Sequence, residues 1–381
     1  MSDVISLLQA LVRLPSVNPS CAVSGEPTGE GALAAFLEDW LQAAGLRTLR
    51  QPTPLPGRDN LLAVYPGAGG AALMLEAHLD TMGVAGMRGE PFSGELAEGR
   101  VWGRGACDCK ASLAGMLVAL RRAAQERLPG ACLLTAVVDE ESFFTGIRTF
   151  VRQDPPLPVR GAVVGEPTGL EIIDRHGGAV RLTFVVHGRA AHSAYPELGD
   201  NAIVHAAELV QALAAHHRDL QTEGDQAAGA RTCTATLIHG GSAINVIPER
   251  CAVGVDRRLR PGEEPERVRE ELEQVVAWAS GGRFAWETEL LLLDAPLASR
   301  TPSPLADLCE RAVREVRGAA RRNLVNYSTD ASKLAERGLE AVVLGPGDIA
   351  QAHAAEEWVE VEQVEEAAEI YYRIVRGAGE L

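Results

Sequence analysis

The sequence predicts an α/β protein with a mostly parallel central sheet flanked by helices, and with a second, smaller domain inserted into it. Two observations lead to this prediction. In residues 1–175, short apolar runs typical of buried strands alternate with amphipathic helical patterns. In residues 176–294 the order of the predicted elements changes, and residues 295–381 then return to the first pattern. We therefore expect one α/β domain, 1–175 with 295–381, interrupted by a domain formed by 176–294.

The first domain begins with two predicted helices and continues with four predicted strands. Apolar residues at helical spacing around Leu7 and around Leu37 predict the helices, and the second should end near Gly45. The predicted strands are 60–65, 72–77, 131–138 and 161–164, with a helix at 111–125 between the second and the third. Strands that alternate with helices in this way favour parallel pairing.

The inserted domain has a different predicted order, strand–helix–strand–strand–helix–strand. Its strands are predicted at 179–187, 231–238, 251–259 and 284–293, and its helices at 201–215 and 266–278. This is the order of the ferredoxin-like split motif. A turn-rich stretch at 294–304 marks the return to the first domain. There, helices at 305–316 and 361–376 flank a strand at 341–344.

The charge of the chain argues against binding to nucleic acids or membranes. Its 381 residues include 36 Lys and Arg against 52 Asp and Glu, and the net charge of −16 repels phosphate backbones and anionic lipids. No uncharged apolar run reaches the roughly 20 residues that cross a bilayer. Asp3 precedes any basic residue, unlike in a signal peptide. Seven cysteines, an odd number, argue against a disulfide framework and favour the reducing cytoplasm.

Residues with the chemistry of metal ligands follow four of the predicted strands. They are His78 and Asp80, then Asp139, Glu140 and Glu141, then Glu166, and finally His353. In open α/β sheets the carboxyl ends of the strands form the ligand crevice, so these residues are expected to converge. Each signal is weak alone, because a lone His is more often a packing residue and a run of acids is usually solvated. Their repetition at strand ends favours a site.

A Gly-rich turn before the helix at 111–125 supplies a further carboxylate, Asp108. Histidine and carboxylate ligands without a thiolate suit Zn²⁺, and also Co²⁺ or Mn²⁺. Charge favours two such ions over one. The three negative charges of Asp108, Glu141 and Glu166, together with a bridging hydroxide, balance the four positive charges of two divalent cations. That hydroxide is also the nucleophile that a hydrolase needs.

At these residues the chain resembles the dinuclear-zinc M20 metallopeptidases. This family contains acetylornithine deacetylases, succinyl-diaminopimelate desuccinylases, aminoacylases and some exopeptidases. The resemblance covers nearly the whole chain and its motifs follow the order of the family, which makes it a specific signal. The motifs are HLDTMG at 78–83, GRGACDCKAS at 103–112, DEES at 139–142, GEPT at 165–168, GRAAHSAYPELGDNAI at 188–203, NVIPE at 245–249 and GPGDIAQAH at 345–353.

The resemblance implies a role for each metal ligand. His78, Asp108 and Glu166 would bind one zinc ion. Asp108 would bridge to a second zinc ion, which Glu141 and His353 also bind. Two Zn²⁺ per subunit are therefore implied, with Co²⁺ as an alternative metal.

The resemblance also implies three residues that act beside the metals. Asp80 would hydrogen-bond His78 and fix its tautomer. Glu140 would be the general base that deprotonates the bridging water and later passes the proton to the leaving amine. His192 lies in the stretch that resembles the family's dimerisation motif, and in relatives this histidine reaches the partner's active site to bind the oxyanion. The inserted domain would thus be the dimerisation and lid domain of a homodimer; the alternative for His192 is a surface loop histidine.

Asn245 and Arg258 resemble positions that bind the substrate carboxylate in relatives. A guanidinium suits this task because it can bind a carboxylate bidentately. Arg257 and Arg260 lie close to Arg258 in the sequence. Which of the three arginines binds substrate therefore stays open. The alternative is that they lie at a solvated strand edge and bind no substrate.

The sequence predicts a metal-dependent amidohydrolase that removes a short N-acyl group, with acetyl as the best candidate, from an amino acid such as N-acetylornithine. The nearest alternative is a dipeptidase or carboxypeptidase of the same family. A desuccinylase is less favoured, because Arg175-His176 stands where that branch has an Arg pair. A non-catalytic binding protein would be expected to lose Glu140 or a ligand. Cys107 and Cys109 are expected to be packing residues. The alternative is that they bind metal as thiolates or form a redox pair.

Overall fold

The computed structural model describes residues 2–222, 229 and 231–381. The helices are α1 Asp3–Val12, α2 Gly31–Ala43, α3 Ala111–Glu126, α4 Thr145–Arg152, α5 Ala202–Thr222, α6 Pro265–Ser280, α7 Pro304–Arg317, α8 Ala331–Glu336 and α9 Val361–Gly377. Within the described part of the chain, no helix combines the length and the apolar character that crossing a membrane requires.

The strands are short and occur throughout the chain. They are β1 Arg47–Gln51, β2 Asn60–Tyr65, β3 Ala72–His78, β4 Glu95–Ala97, β5 Arg100–Trp102, β6 Cys132–Val137, β7 Val159–Val164, β8 Ile172–His176, β9 Gly178–His187, β10 Ala191–His192, β11 Thr232–Gly240, β12 Val246–Ile247, β13 Arg250–Leu259, β14 Trp286–Asp294, β15 Arg322–Val325, β16 Glu340–Val343 and β17 Trp358–Glu360. The strands predicted from apolar runs are all present, and their ends lie within two residues of the predicted ones.

Among the described residues, the largest sheet has eight strands in the order β1-β2-β6-β3-β7-β16-β8-β15. Its central strands β6, β3, β7 and β16 pair in parallel, and antiparallel strands flank them. Strands β3 and β6 are buried along their whole length, as expected for parallel strands with both faces covered. The mostly parallel α/β sheet predicted from the sequence is confirmed.

Helices α3 and α9 pack on each other, and α3 also packs on β3 and β6. Leu75 on β3, Leu117 on α3 and Ile374 on α9 belong to one buried apolar cluster. The buried hydroxyl of Tyr371 donates to the main-chain oxygen of Leu344 at 2.6 Å, so its polar atom is satisfied. This packing holds the start of α3, and the turn before it, against the carboxyl end of β3.

A second sheet has the order β11-β13-β9-β14, and each of its pairs is antiparallel. Helices α5 and α6 pack on each other and on this sheet. Leu209 of α5 and Leu272 of α6 share one core with Phe184 and Val253 of the strands. The predicted ferredoxin-like arrangement is confirmed, since the strand–helix–strand–strand–helix–strand order is formed by β9, α5, β11, β13, α6 and β14.

Contacts divide the chain into two compact units. The first comprises Met1–Asp174, Ser299–Asn323 and Thr329–Leu381, and the second comprises Arg175–Ala298 and Leu324–Ser328. The short segment Leu324–Ser328 joins the second unit through hydrogen bonds: the N–H of Gly177 donates to the oxygen of Val325 at 2.9 Å, and Ser328 bonds Asp294. The boundaries predicted from the sequence place this segment in the first domain instead.

Candidate active site

The carboxyl ends of three neighbouring parallel strands meet at one edge of the larger sheet. Strand β3 ends at His78, β6 at Val137 and β7 at Val164. The register places His78 opposite Val137. The polar residues that follow these ends are therefore delivered to the same place, as expected for the ligand crevice of an α/β sheet.

Asp108 reaches this place from a buried turn, Ala106–Lys110, that leads into α3. Its Oδ1 lies 2.9 Å from Nε2 of His78. The same nitrogen of His78 lies 3.8 Å from Oε1 of Glu166. The other oxygen of Asp108, Oδ2, lies 3.5 Å from Nε2 of His353. Asp108 thus presents one carboxylate oxygen to each of two histidines.

Glu141 and His353 complete the other half of the cluster. Nε2 of His353 lies 3.0 Å from Oε2 of Glu141. Among the described residues, the buried Oε1 of Glu141 has no hydrogen-bond partner. A buried carboxylate oxygen without a donor is unfavourable unless a cation or water satisfies it. The five residues predicted as metal ligands are therefore all brought together.

Ligand atoms in this region form groups whose members lie within 4.8 Å of one another. The groups are His78, Asp108 and Cys109; His78, Glu140 and Glu166; and Asp108, Glu141 and His353. The first two groups share His78, and the first and the last share Asp108. The three groups therefore adjoin one another, and Asp108 links the group at His78 to the group at His353.

Burial and mutual repulsion shift the titration of these acids. Burial raises the pKa of Glu140, Glu141 and Glu166 above the usual range of a glutamate. Burial acts on Asp108 too, but hydrogen bonds from the two histidines outweigh it and hold the pKa of Asp108 below its usual range. Hydrogen bonds to Asp108 and Glu141 raise the pKa of His353 to about 10. The cluster holds more acid than its histidines can balance.

This donor set fits two divalent cations. Imidazole nitrogens and carboxylate oxygens are ligands that Zn²⁺ and related ions accept, and bound cations would neutralise the excess negative charge. Cys109 is a poorer candidate ligand. Its thiol donates to the main-chain oxygen of His78 at 3.5 Å, and burial raises its pKa well above the usual range, which disfavours the thiolate that binds metals. Cys109 is therefore a packing residue, as the sequence favours.

Asp80 contacts His78 differently from what the resemblance implies. Nδ1 of His78 lies 2.9 Å from the main-chain oxygen of Asp80, whereas Oδ1 of Asp80 is 3.8 Å away. The carboxylate instead accepts the backbone N–H of Glu140 at 3.0 Å and of Glu141 at 3.1 Å. A main-chain carbonyl therefore fixes the tautomer of His78. The side chain of Asp80 fixes the turn that carries the two glutamates.

Behind Asp80 lies a buried network that no sequence pattern marks. Nδ2 of Asn18 donates to Oδ2 of Asp80 at 2.8 Å and to Oδ1 of Asp139 at 3.0 Å. Arg58 donates to the same oxygen of Asp139 at 3.3 Å and to Glu30 at 2.7 Å. Asn18 and Arg58 come from loops and have no periodic neighbours, so the sequence gives no signal that could have found them. Their role depends wholly on tertiary placement.

His192 and Asn245 are neighbours in the second unit. Strand β10 pairs with β12 so that His192 lies opposite Val246, and the N–H of Ser193 donates to the main-chain oxygen of Asn245 at 3.0 Å. Both His192 and Asn245 are exposed. His192 and Asn245 are both predicted from the sequence as functional residues. They lie close together on the surface of the second unit.

Arg258 lies on β13 of the second unit, where its Nε donates to Asp256 at 2.8 Å. Its side chain is about one-third exposed, at 34%. The neighbouring Arg257 is fully buried and forms an ion pair with Glu263 at 2.7 Å. Of these two arginines, Arg258 is the one accessible to a ligand.

Comparisons with known proteins identify the family of this chain. The profile of the family described as "Peptidase family M20/M25/M40" matches residues 74–377. The acetylornithine deacetylase of Myxococcus xanthus is 33% identical to this chain, over 98% of the chain and 98% of its own length. The acetylornithine deacetylase of Proteus mirabilis is 29% identical, over 97% of this chain and 95% of its own length.

Solved structures share the fold at low sequence identity. An M20 family metallo-carboxypeptidase from Sulfolobus solfataricus superposes with a TM-score of 0.83, at 17% identity and with full coverage of both chains. A dinuclear metal binding peptidase of the M20 family from Bacillus subtilis has a TM-score of 0.74 at 16% identity, over 98% of this chain and 96% of its own. The resemblance found in the sequence is confirmed. The chain belongs to peptidase family M20/M25/M40, and it is a metal-dependent hydrolase of amide bonds.

Proposed function

We propose that this enzyme removes a short N-acyl group, acetyl in the first instance, from an amino acid such as N-acetylornithine. Support for the acyl group comes from the relatives that are similar over nearly their whole length, which are acetylornithine deacetylases. The observation that carries the reaction is the set of adjoining groups of candidate ligand atoms, two of which contain Asp108, with Glu140 in a third.

His78, Asp108 and Glu166 would hold one metal ion, and Asp108, Glu141 and His353 would hold the other. We propose Zn²⁺ at both positions, with Co²⁺ as an alternative, because imidazole and carboxylate ligands suit these ions. Divalent cations held by these residues would supply Lewis acidity for activating water and polarising the amide carbonyl.

Glu140 is proposed as the general base. It follows β6, its main-chain N–H is held by Asp80 at 3.0 Å, and its carboxylate lies within 4.8 Å of the ligand atoms of His78 and Glu166. Burial raises the pKa of Glu140 above the usual range of a glutamate. Glu140 would take the proton of the attacking water and then deliver it to the leaving nitrogen.

The second unit is proposed as the dimerisation and lid domain, formed mainly by residues 176–294. His192 would stabilise the oxyanion in the partner subunit's active site. Asn245 and Arg258 would bind the carboxylate of the substrate, and the exposure of Arg258 beside the buried Arg257 supports this choice. We place the enzyme in the cytoplasm, since its seven cysteines are all free.

The proposed substrate is tested by hydrolysis assays on the metal-reconstituted enzyme. The panel contains N-acetylornithine, N-succinyl-diaminopimelate, several other N-acetyl amino acids and a few dipeptides, each with and without a chelator. We expect fast, chelator-sensitive turnover of N-acetylornithine. Cleavage of the dipeptides alone would overturn the deacylase proposal and move the enzyme to the peptidase branch, and cleavage of the succinyl substrate alone would make it a desuccinylase.

A further inference from the structure

A buried ion pair lies next to the metal-ligand cluster but contains none of its proposed ligands. Nη1 of Arg104 lies 2.6 Å from Oε2 of Glu357, and the two residues are only 3% and 1% exposed. A buried ion pair is by itself weak evidence for stability, because both charges lose their hydration. Its other contacts indicate what it does.

Glu357 holds the turn that carries Asp108. Its Oε1 accepts the backbone N–H of Cys107 at 3.0 Å and of Asp108 at 3.1 Å. Its main-chain oxygen accepts the N–H of Gly103 at 3.0 Å. Glu357 thus accepts three hydrogen bonds from the backbone of the turn, and these bonds fix the position of Asp108.

Arg104 ties this turn to two other segments. Its Nη2 lies 3.5 Å from the main-chain oxygen of Ala354, the residue after His353, and its Nε donates to Gly83 at 3.1 Å. His353 needs such support, because its side chain is 50% exposed and its φ is +60°, a conformation that residues other than glycine seldom adopt. Glu357 itself lies only four residues after His353. The pair therefore connects the turn that carries Asp108 with the segment that carries His353. Both residues are proposed ligands of one metal position.

We propose that Arg104 and Glu357 are positioning residues that set the placement of His353 relative to Asp108. Asp108 serves both proposed metal positions and His353 serves only one. The pair thereby tunes the affinity of both positions, and that of the position formed by Asp108, Glu141 and His353 more strongly. This inference rests on the proposed function, since it requires two metal positions. Partners behind metal ligands commonly act in this way, and their loss weakens metal binding about 10- to 100-fold.

The test is calorimetric titration of metal-free protein with Zn²⁺. The double variant R104M/E357Q removes both charges at once, so neither is left buried alone. Arg104→Lys is the milder variant, which keeps the positive charge but loses the planar fork that spans Glu357, Gly83 and Ala354. The matched control is Glu360→Gln, which breaks the exposed ion pair between Arg100 and Glu360, 2.9 Å apart on the adjoining strands β5 and β17.

We expect wild type and E360Q to bind two Zn²⁺ per chain. In R104M/E357Q one of the two should bind about 10- to 100-fold more weakly and the other should weaken less, and in Arg104→Lys the first should weaken to a smaller degree. The turnover number should fall at limiting Zn²⁺ and recover with excess Zn²⁺. Should the double variant not fold by circular dichroism, Arg104→Lys decides the question alone.

A second titration separates positioning from general destabilisation. If the pair acts partly through His353, R104M/E357Q should weaken Zn²⁺ binding less when it is added to a His353→Ala variant than when it is added to wild type. Wild-type affinity for both ions in the Arg104 variants, or equal weakening of both, would overturn the inference. Wild type that binds fewer than two ions would instead overturn the two-metal proposal, whatever the variants do.

Discussion

Single residues fix the cluster through hydrogen bonds to main-chain amides. Asp80 accepts the N–H groups of Glu140 and Glu141, and Asn18 holds the carboxylate of Asp80 against that of Asp139. Such bonds to an ionised carboxylate are stronger than those between neutral groups. The orientation of Glu140 therefore depends on Asn18, which is not one of the proposed ligands.

Replacing Asn18 by alanine should lower both stability and activity. Asn18 is fully buried, and its loss leaves two buried carboxylates each without one donor. We expect the free energy of unfolding to fall by about 1–3 kcal/mol, and the turnover number to fall more than KM rises. Urea unfolding and steady-state kinetics measure these effects. Asn323→Ala removes an exposed hydrogen bond to Glu171 and should change neither; an Asn18→Ala enzyme with wild-type kinetics would contradict this role.

The proposed metal ligands could be chosen from sequence because each follows a strand end or precedes a helix, where an α/β sheet binds ligands. The residues of the network behind Asp80 (Asn18, Arg58 and Glu30) could not be found in this way, because they meet only in the folded chain. The atom of Asp80 that lies nearest to His78 was not predictable from sequence either. A sequence cannot distinguish the carbonyl of Asp80 from its carboxylate, which lie 2.9 Å and 3.8 Å from the imidazole.

At the scale of elements, the site depends on close packing between the start of α3 and the end of β7. Gly165 follows β7, and its N–H donates to the main-chain oxygen of Glu76 at 2.8 Å. A Cβ atom added at Gly165 would lie 2.6 Å from Cβ of Ser112 and 2.9 Å from Cε of Met116. Only glycine allows this approach, which brings Glu166 beside His78.

Gly165→Ala should therefore separate α3 from β7. We expect a loss of about 1–3 kcal/mol in the free energy of unfolding, as for other overpacked sites. Metal affinity should also weaken, since Glu166 is the next residue. Thermal unfolding and Zn²⁺ titration measure the two effects. Gly379→Ala is the control, because no atom lies within 4 Å of its added Cβ; equal behaviour of the two variants would refute the packing argument.

Strands were predictable from the sequence where one or both of their faces are buried, and less so where they are partly exposed or very short. Strand β2 was predicted at its observed bounds because its residues are almost all buried and apolar. Strand β1, with the sequence RTLRQ, was missed, because it is a partly exposed edge strand held by pairing with β2. Strands β4 and β5 have three residues each, too few to show any period.

At the scale of the whole molecule, the second unit exposes apolar side chains along an edge strand. Leu237 and Ile238 on β11 are 59% and 52% exposed, and Val204 on α5 is 52% exposed. Strand β11 lies at the edge of its sheet. Exposed apolar residues on an unpaired edge are typical of surfaces that associate. This edge therefore supports the proposed homodimer.

Light scattering should find wild type at twice the chain mass of 40.5 kDa. Ile238→Glu should shift it to the monomer, because a charge would be buried at the interface without a partner. Leu291→Glu tests the opposite edge of the same sheet, β14, where Leu291 is 56% exposed. It should leave the dimer intact if β11 is the edge that associates. A fully active wild-type monomer would contradict both the dimer and the proposed role of His192 in the partner's site.

The most direct test of the account is the turnover of Glu140→Gln beside wild type, on whichever substrate of the panel is cleaved fastest. The substitution removes the base and keeps the shape of the side chain. We expect the turnover number to fall about 10²- to 10⁴-fold while Zn²⁺ content stays the same. The matched control, Glu356→Gln, changes a glutamate whose side chain is 53% exposed and should act as wild type. A Glu140→Gln enzyme that retains its metal and full turnover would contradict the central claim.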